Sequence, residues 1–222
     1  MAMMVNMAYA ADYDQNTIGW YGRQSGANSW RIYGDIVDTW YGVMRPGTSQ
    51  YANADGAGPN TWNDADMLEV GNGVLTNTEE QTHFSLWALL ASPLLIGCNV
   101  ATISSPSLAV LSNVEIIAVD QDSMGAQGQL ISQSGSVDAG FVTGAQQVLQ
   151  IWAKPMSDGT TVIGLFNLSA STSNVTVSLP AVGITGPTPL RDLWNHVELG
   201  TFTGSYTATN IPSHGVVMLR TK

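Results

Sequence analysis

Apolar positions follow two different rhythms along this chain. Up to about residue 122, short apolar runs alternate with longer stretches that repeat every three to four residues. Beyond about residue 128 the segments are shorter, and apolar and polar positions alternate one by one. The first rhythm belongs to amphipathic helices between buried strands, the second to half-buried strands. LTNTEEQTHFSLWALLA (75–91) is the clearest helix. Thr76 and Glu79 have the spacing of a capping box, and Phe84, Trp87, Leu90 and Ala91 recur on one face. Pro93 ends it, and LLIG (94–97) is expected as a short buried strand. SLAVLSNVEIIAVDQD (107–122) reads as a further helical region, with Pro106 suited to its start.

Alternating strands and helices with short connections predict a parallel sheet or barrel of βα units. QQVLQIWAK, TTVIGLFNL, SNVTVSL, PLRDLW, GSYTATNI and GVVMLR, separated by turns such as SDG and SHG, predict an antiparallel sandwich. The glycines of SMGAQGQ (123–129) mark the expected boundary, with a barrel-like part over 1–125 and a sandwich over 126–222.

Composition narrows the function. The 222 residues are enough for a sizeable core. Seven Lys and Arg against 17 Asp and Glu leave a net charge of −10, the wrong sign for a nucleic-acid partner. No apolar run approaches the roughly 18 residues of a membrane span. Cys98 stands alone, which excludes an intrachain disulfide and a cysteine metal site. The sequons at Asn167 and Asn174 are compatible with a glycosylated, secreted surface. MAMMVNMAYA has neither the basic start nor the apolar length of a signal peptide.

Two segments carry candidate chemistry. In SWRIYGDI (29–36), strand alternation puts Arg31, Tyr33 and Asp35 on one side and Ile32 and Ile36 on the other. Four residues of ideal strand span roughly 13 Å, too far for a contact ion pair. A bend at Gly34 would let both charges reach one small ligand at the C-terminal end of a parallel strand, where barrels keep active sites. A structural ion pair with another element is the alternative. In NTWNDADMLEVGNG (60–73), Asn63, Asp64, Asp66 and Glu69 crowd beside Trp62 and Met67. Paired carboxylates beside an aromatic ring fit glycoside chemistry. Clustered oxygens also suit calcium, although the spacing lacks a calcium-hand loop, and an Asx-type turn explains them equally. His83, His196 and His214 do not gather, and no phosphate loop is apparent, so no cofactor is expected.

Together these runs resemble the C-terminal half of the glycoside hydrolase family 27 α-galactosidases. NSWRIYGDI, TWNDADMLEVGNG, LTNTEEQTHFSLWALLASPLLIGCNV and EIIAVDQDSMGAQG match in order, and IWAKPMSDGTTVIGLFNLS, RDLW and PSHGVVMLR resemble the family's trailing sandwich. The resemblance implies about strands five to eight of a (β/α)₈ barrel followed by an antiparallel β-sandwich. It implies retaining hydrolysis of terminal α-galactosides, with an α-galactoside oligosaccharide or glycoconjugate as partner and a secreted setting. By motif Asp35 matches the general acid/base, Arg31 a sugar-binding arginine beside it, and Asp66 and Met67 galactose contacts. IGWYG (18–22) stands where the family has its fifth-strand end, making Trp20 and Tyr21 the corresponding substrate contacts.

Two departures stand out. The family's nucleophile motif, Lys-(Tyr/Phe)-Asp-(Asn/Gly)-Cys, has no counterpart here. DYDQN (12–16) lacks its lysine and cysteine, and Asp14 lies only 21 positions before Asp35. Ala65 replaces the usual proline of the NDPDM run. Retaining chemistry needs two carboxyls about 5–5.5 Å apart. The isolated chain is therefore expected to be inactive without an N-terminal barrel half, or else to be a saccharide-binding or scaffold remnant. Burial is expected to hold a proton on Asp35 against the pull of Arg31.

Overall fold

The computed structural model describes residues 4–6, 22–135 and 147–222. Three short strands, β1 (Met4–Asn6), β2 (Ser29–Arg31) and β3 (Trp62–Asp64), form a parallel sheet in chain order. Val5 pairs with Trp30, and Trp30 with Asn63. The ladder gains one more rung where Leu68 bridges in parallel to Ile96. The strand expected over 94–97 is thus reduced to a bridge. Leu95 and Ile96 are about half exposed rather than buried. A strand is buried when both flanks and both faces are covered; among the described residues the backbone at Ile96 is bridged on one flank, by Leu68.

Helices α1 (Trp40–Ser49), α2 (Asn77–Leu90), α3 (Ser105–Leu111) and α4 (Val114–Asp120) connect and cover these strands. α2 starts where the capping box placed it: Thr76 accepts from the Glu79 amide, and Glu79 reaches back to the Thr76 amide at 2.8 Å. The single helical region expected over 107–122 is instead two helices. Ser112 closes the first and Asn113 caps the second, its Oδ1 accepting from the Glu115 and Ile116 amides at 3.0 and 3.1 Å. A short amide side chain competes well with the helical ladder, and here it wins.

The remaining strands are antiparallel: β4 (Gln129–Ser134), β5 (Leu149–Pro155), β6 (Thr161–Asn167), β7 (Ser173–Ser178), β8 (Thr188–Asp192), β9 (Val197–Phe202), β10 (Ser205–Ile211) and β11 (Val216–Thr221). Six form one sheet in the order β4-β5-β6-β11-β8-β9, and β10 and β7 pair in front of it. Two of these, β4 and β9, carry no alternation in the sequence. They are the outer strands of the large sheet, mostly exposed, so neither face needed an apolar row.

Helix α2 lies between the two parts, packing on α1, α3 and α4 and also on β5, β6 and β11. Its burial therefore runs all round, from Thr82 to Leu90, and not along one stripe. β6 shows why. Val162 and Phe166 enter the core shared with α2, while Ile163 and Leu165 pack beneath β7 and β10. Gly164 permits the close approach: a Cβ there would sit 2.5 Å from Phe166 and 2.7 Å from Leu89. Lys154 on β5 is fully buried and donates to the Ala88 carbonyl at 2.9 Å, in the last turn of α2. Free carbonyls at a helix C-terminus favour a cation.

Candidate active site

The two candidate segments meet at the C-terminal ends of β2 and β3. Trp30 anchors the first: its indole is fully buried and donates to Asn63 Oδ1 at 2.8 Å. Asn63 in turn donates to the Asn53 carbonyl and to Gln127 Oε1, both at 2.8 Å. Ile32 continues the ladder by donating to the Asp64 carbonyl at 3.1 Å, and then the chain turns away.

That turn changes the expected geometry of Arg31 and Asp35. They are in contact, with Arg31 Nη2 3.2 Å from Asp35 Oδ1. Nη2 also lies 2.8 Å from Asp66 Oδ2 and 3.4 Å from the Tyr33 carbonyl. One guanidinium therefore bridges two carboxylates from neighbouring strand ends. Its Nε is buried with no hydrogen-bond partner among the described residues.

Asp66 is held from several sides. Its backbone is left-handed, at φ 85°, and its amide donates to Asp64 Oδ1 at 2.9 Å. Its carboxylate accepts from the Ile36 and Met67 amides at 3.0 and 2.9 Å. Its carbonyl accepts from Trp87 Nε1 at 2.7 Å, and the neighbouring Ala65 amide donates to Ser92 Oγ at 2.9 Å. Trp87 reads in sequence as core, and Ser92 has no nucleophile-elbow glycines around it. Both carry a hydrogen bond that sets the NDADM turn, and nothing in their spacing announces it. Asp64 is buried, and desolvation pushes its carboxyl above the usual range, against the Asp66 amide and the charge of Arg31.

Asp35 corrects an expectation: its side chain is 80% exposed, so the described residues do not provide the burial that was to hold its proton. Met67 is half exposed at the same end. Trp20 and Tyr21, and Asp14 with them, lie outside the described residues. The acidic cluster of 60–73 divides: Asp64 and Asp66 face Arg31, Asn63 ties down Trp30, and Glu69 accepts from Asn72 in the following turn. Among the described residues no group of three or more His, Cys, Asp and Glu is placed to hold a metal ion.

The histidines serve elsewhere. His83 is fully buried and accepts from the Glu69 amide at 3.0 Å, and desolvation pushes its pKa down to about 3. His214 stacks on Trp40 with ring centroids 4.2 Å apart and bonds Glu79, whereas His196 bonds Glu115. The sequon at Asn167 is also corrected. Its side chain is fully buried and donates to the carbonyls of Ser171, Ile211 and Pro212, so it is unavailable for glycosylation in this fold. Asn174 is exposed.

Comparison with known proteins bears on the family and the fold. The family described as alpha galactosidase A matches residues 7–122, and the alpha galactosidase C-terminal beta sandwich domain matches residues 146–221. The chain is similar to alpha-galactosidase 3 of Arabidopsis thaliana, 39% identical over 189 residues, which is 84% of this chain and 41% of that protein. It is 38% identical over 193 residues to the alpha-galactosidase of Cyamopsis tetragonoloba, 86% of this chain and 44% of that one. The chain thus spans less than half the length of these relatives. Its fold matches that of the Saccharomyces cerevisiae alpha-galactosidase with a TM-score of 0.84 at 24% identity, over 92% of this chain and 61% of the other. A β-L-arabinopyranosidase from Geobacillus stearothermophilus shares the fold at a TM-score of 0.81 and 24% identity, over 99% of this chain and 49% of that one.

Proposed function

From the premise that the chain belongs to the alpha galactosidase A family of glycoside hydrolases, we propose that it carries the acid/base half of a retaining α-galactosidase site. The observation that carries this reading is Arg31 held between Asp35 at 3.2 Å and Asp66 at 2.8 Å, at the C-terminal ends of adjacent parallel strands. Asp35 is the open carboxylate of the group, free to protonate a departing glycosidic oxygen and then to take a proton from water. Arg31 and Asp66 bind sugar hydroxyls, and Met67 gives the ring an apolar contact. Trp20 and Tyr21 are the expected contacts from the preceding strand end.

The described residues supply no nucleophile. Asp66 is committed to Arg31 and two backbone amides, and Asp64 is buried under the Asp66 amide. Both lie at the strand end adjacent to that of Asp35 and not on an opposite wall of the barrel. The second carboxyl must come with the other strands of the barrel, in cis or in trans. Those strands would also cover Asp35, raising its proton affinity by desolvation.

The test joins residues 1–222 to the first barrel half of the Arabidopsis relative and assays raffinose and a chromogenic α-galactoside. Turnover in the fusion, lost in Asp35→Asn, is the expected result. Raffinose is a natural choice, since a yeast alpha-galactosidase was solved with it. Full turnover by residues 1–222 alone would sink the requirement for a second half.

A further inference from the structure

Asp35 is placed by its backbone more than by its side chain. Its carboxylate is largely exposed and pairs, among the described residues, with Arg31 alone. Such a group goes where its loop takes it. The loop leaves the sheet at Ile32, whose amide donates to the Asp64 carbonyl, and ends in α1. Three contacts fix it after Asp35. The Ile36 amide donates to Asp66 Oδ2 at 3.0 Å, and the Asp38 carboxylate accepts from the Val74 and Leu75 amides at 2.9 and 3.3 Å. Both of these come from the segment that follows β3. The third comes from the sandwich: Trp40, the first residue of α1, stacks on His214 with ring centroids 4.2 Å apart and planes 11° from parallel.

His214 is itself held on every side. It lies in the turn between β10 and β11, with φ 59°, and its amide donates to the Ser169 carbonyl at 3.2 Å. The Ser213 hydroxyl donates to the same carbonyl at 3.0 Å. The His214 carbonyl accepts from the Thr82 hydroxyl at 2.6 Å, and its Nδ1 lies 2.6 Å from Glu79 Oε1. The other Glu79 oxygen accepts from the amide and hydroxyl of Thr76, both at 2.8 Å. Burial pushes the Glu79 carboxyl up, but hydrogen bonds from Thr76 and His214 outweigh it and hold the group below its usual range. Thr76 directly follows Leu75, which Asp38 holds. The contacts therefore close a ring through Asp38, Leu75, Thr76, Glu79, His214 and Trp40, which lies two residues from Asp38. A closed network of this kind locks its members more firmly than the same contacts in an open chain. The ion pair of Arg191 with Glu115, at 2.6 Å, also joins the two parts, but it touches none of residues 32–40.

We infer that His214 is a positioning residue for the acid: through its stack on Trp40, the sandwich holds the loop that carries Asp35 in register with Arg31 and Asp66. The inference rests on the reading of Asp35 as the proton donor. It gives the sandwich a part in the chemistry without any contact with the sugar. A misplacement of about 1 Å at a reacting group can cost on the order of a hundredfold in rate, so a contact five residues away is close enough to matter.

The first measurement is amide hydrogen exchange, read by mass spectrometry on the full chain carrying His214→Asn. Asparagine suits the left-handed backbone and removes the ring. Exchange over residues 33–43 should quicken at least fivefold while β6 and β11 stay as protected as before. His214→Phe, which keeps a ring against Trp40, should restore most of the protection. Arg191→Met, which breaks the other contact between the parts, should leave 33–43 unchanged. The second measurement uses the fusion described above. In His214→Asn, kcat/KM for raffinose should fall at least tenfold, and that for dinitrophenyl α-galactoside less than threefold, because a good leaving group needs little help from an acid. If His214→Asn does not fold, Trp40→Leu decides both measurements. Unchanged exchange over 33–43, an equal rise in Arg191→Met, or equal losses on the two substrates would each overturn the inference. A fusion inactive with His214 intact overturns the reading of Asp35, and the inference with it, even where exchange shows the loop held.

Discussion

Replacing Asp66 by alanine removes three contacts at once. Arg31 loses its closest carboxylate, at 2.8 Å, and the Ile36 and Met67 amides lose their acceptor. What remains for Arg31 is the Tyr33 carbonyl at 3.4 Å and Asp35, whose side chain is 80% exposed, while Arg31 itself is nearly buried. Breaking a buried ion pair from one side costs about 3–5 kcal/mol. An orphaned buried amide such as that of Ile36 adds about 1–3 kcal/mol. The left-handed backbone at φ 85° adds to the cost, because alanine tolerates it less well than aspartate. These effects share partners and do not sum, so about 4–5 kcal/mol is expected. In a chain of this length that corresponds to a fall in Tm of about 10–15 °C. Asp66→Asn keeps the shape, one acceptor and the backbone preference and loses only the charge, so about half that cost is expected. The assay is urea unfolding followed by tryptophan fluorescence, run as a cycle with Arg31→Met. A coupling energy of about 2–3 kcal/mol between the two positions is expected. Coupling below about 0.5 kcal/mol would mean that the two side chains do not share a load, and the bridging-guanidinium reading would fail.

Strong acid should remove the contribution of the surface network around Glu115. Hydrogen bonds from Arg191, with help from His196, hold its carboxyl at about 2. A carboxyl whose pKa is lower folded than unfolded stabilises the fold above its unfolded value of about 4.5 and loses that contribution as pH falls toward 2. Glu115→Gln should therefore flatten the stability curve between about pH 4.5 and 2 and leave its shape above pH 6 unchanged, as read from urea midpoints. Gly164→Ala forces a methyl to within 2.7 Å of both Phe166 and Leu89 and should cost about 1–3 kcal/mol by overpacking; Gly34→Ala, with nothing near its Cβ and no positive φ, is the control for a methyl added without a clash. Expressed with secretion in a glycosylating host, the protein should carry glycan at Asn174 and none at Asn167, as read by peptide mass spectrometry.

The sequence was most legible where local chemistry decides structure. The Thr76–Glu79 capping box needed four residues and no tertiary contact, and α2 begins where they say. It was less legible where context decides. Asn113 splits what periodicity joined, because its side chain outbids the helical ladder. β4 and β9 sit at sheet edges, where exposure removes the alternation that reveals a strand. The strand at 94–97 shrank to one bridge because an apolar run reports the wish to be buried and not the presence of a cover. At the site, the resemblance of two motifs to a known family, and not the charge pattern, grouped Arg31, Asp35 and Asp66. Strand geometry excluded the contact between Arg31 and Asp35 that the resemblance implied, because it was carried past the point where the backbone leaves the sheet. The exposure of Asp35 depends on elements that no local pattern encodes.

Helix α2 belongs to both parts of the molecule. Trp87 and Leu89 share one apolar cluster with Trp152, Phe166 and Met218, residues contributed by the large antiparallel sheet. Severing the polypeptide near the glycines of 123–129 would strip one wall from each fragment. The chain should therefore melt in a single cooperative step, with calorimetric and van't Hoff enthalpies equal, and neither fragment should persist as a folded species when expressed alone.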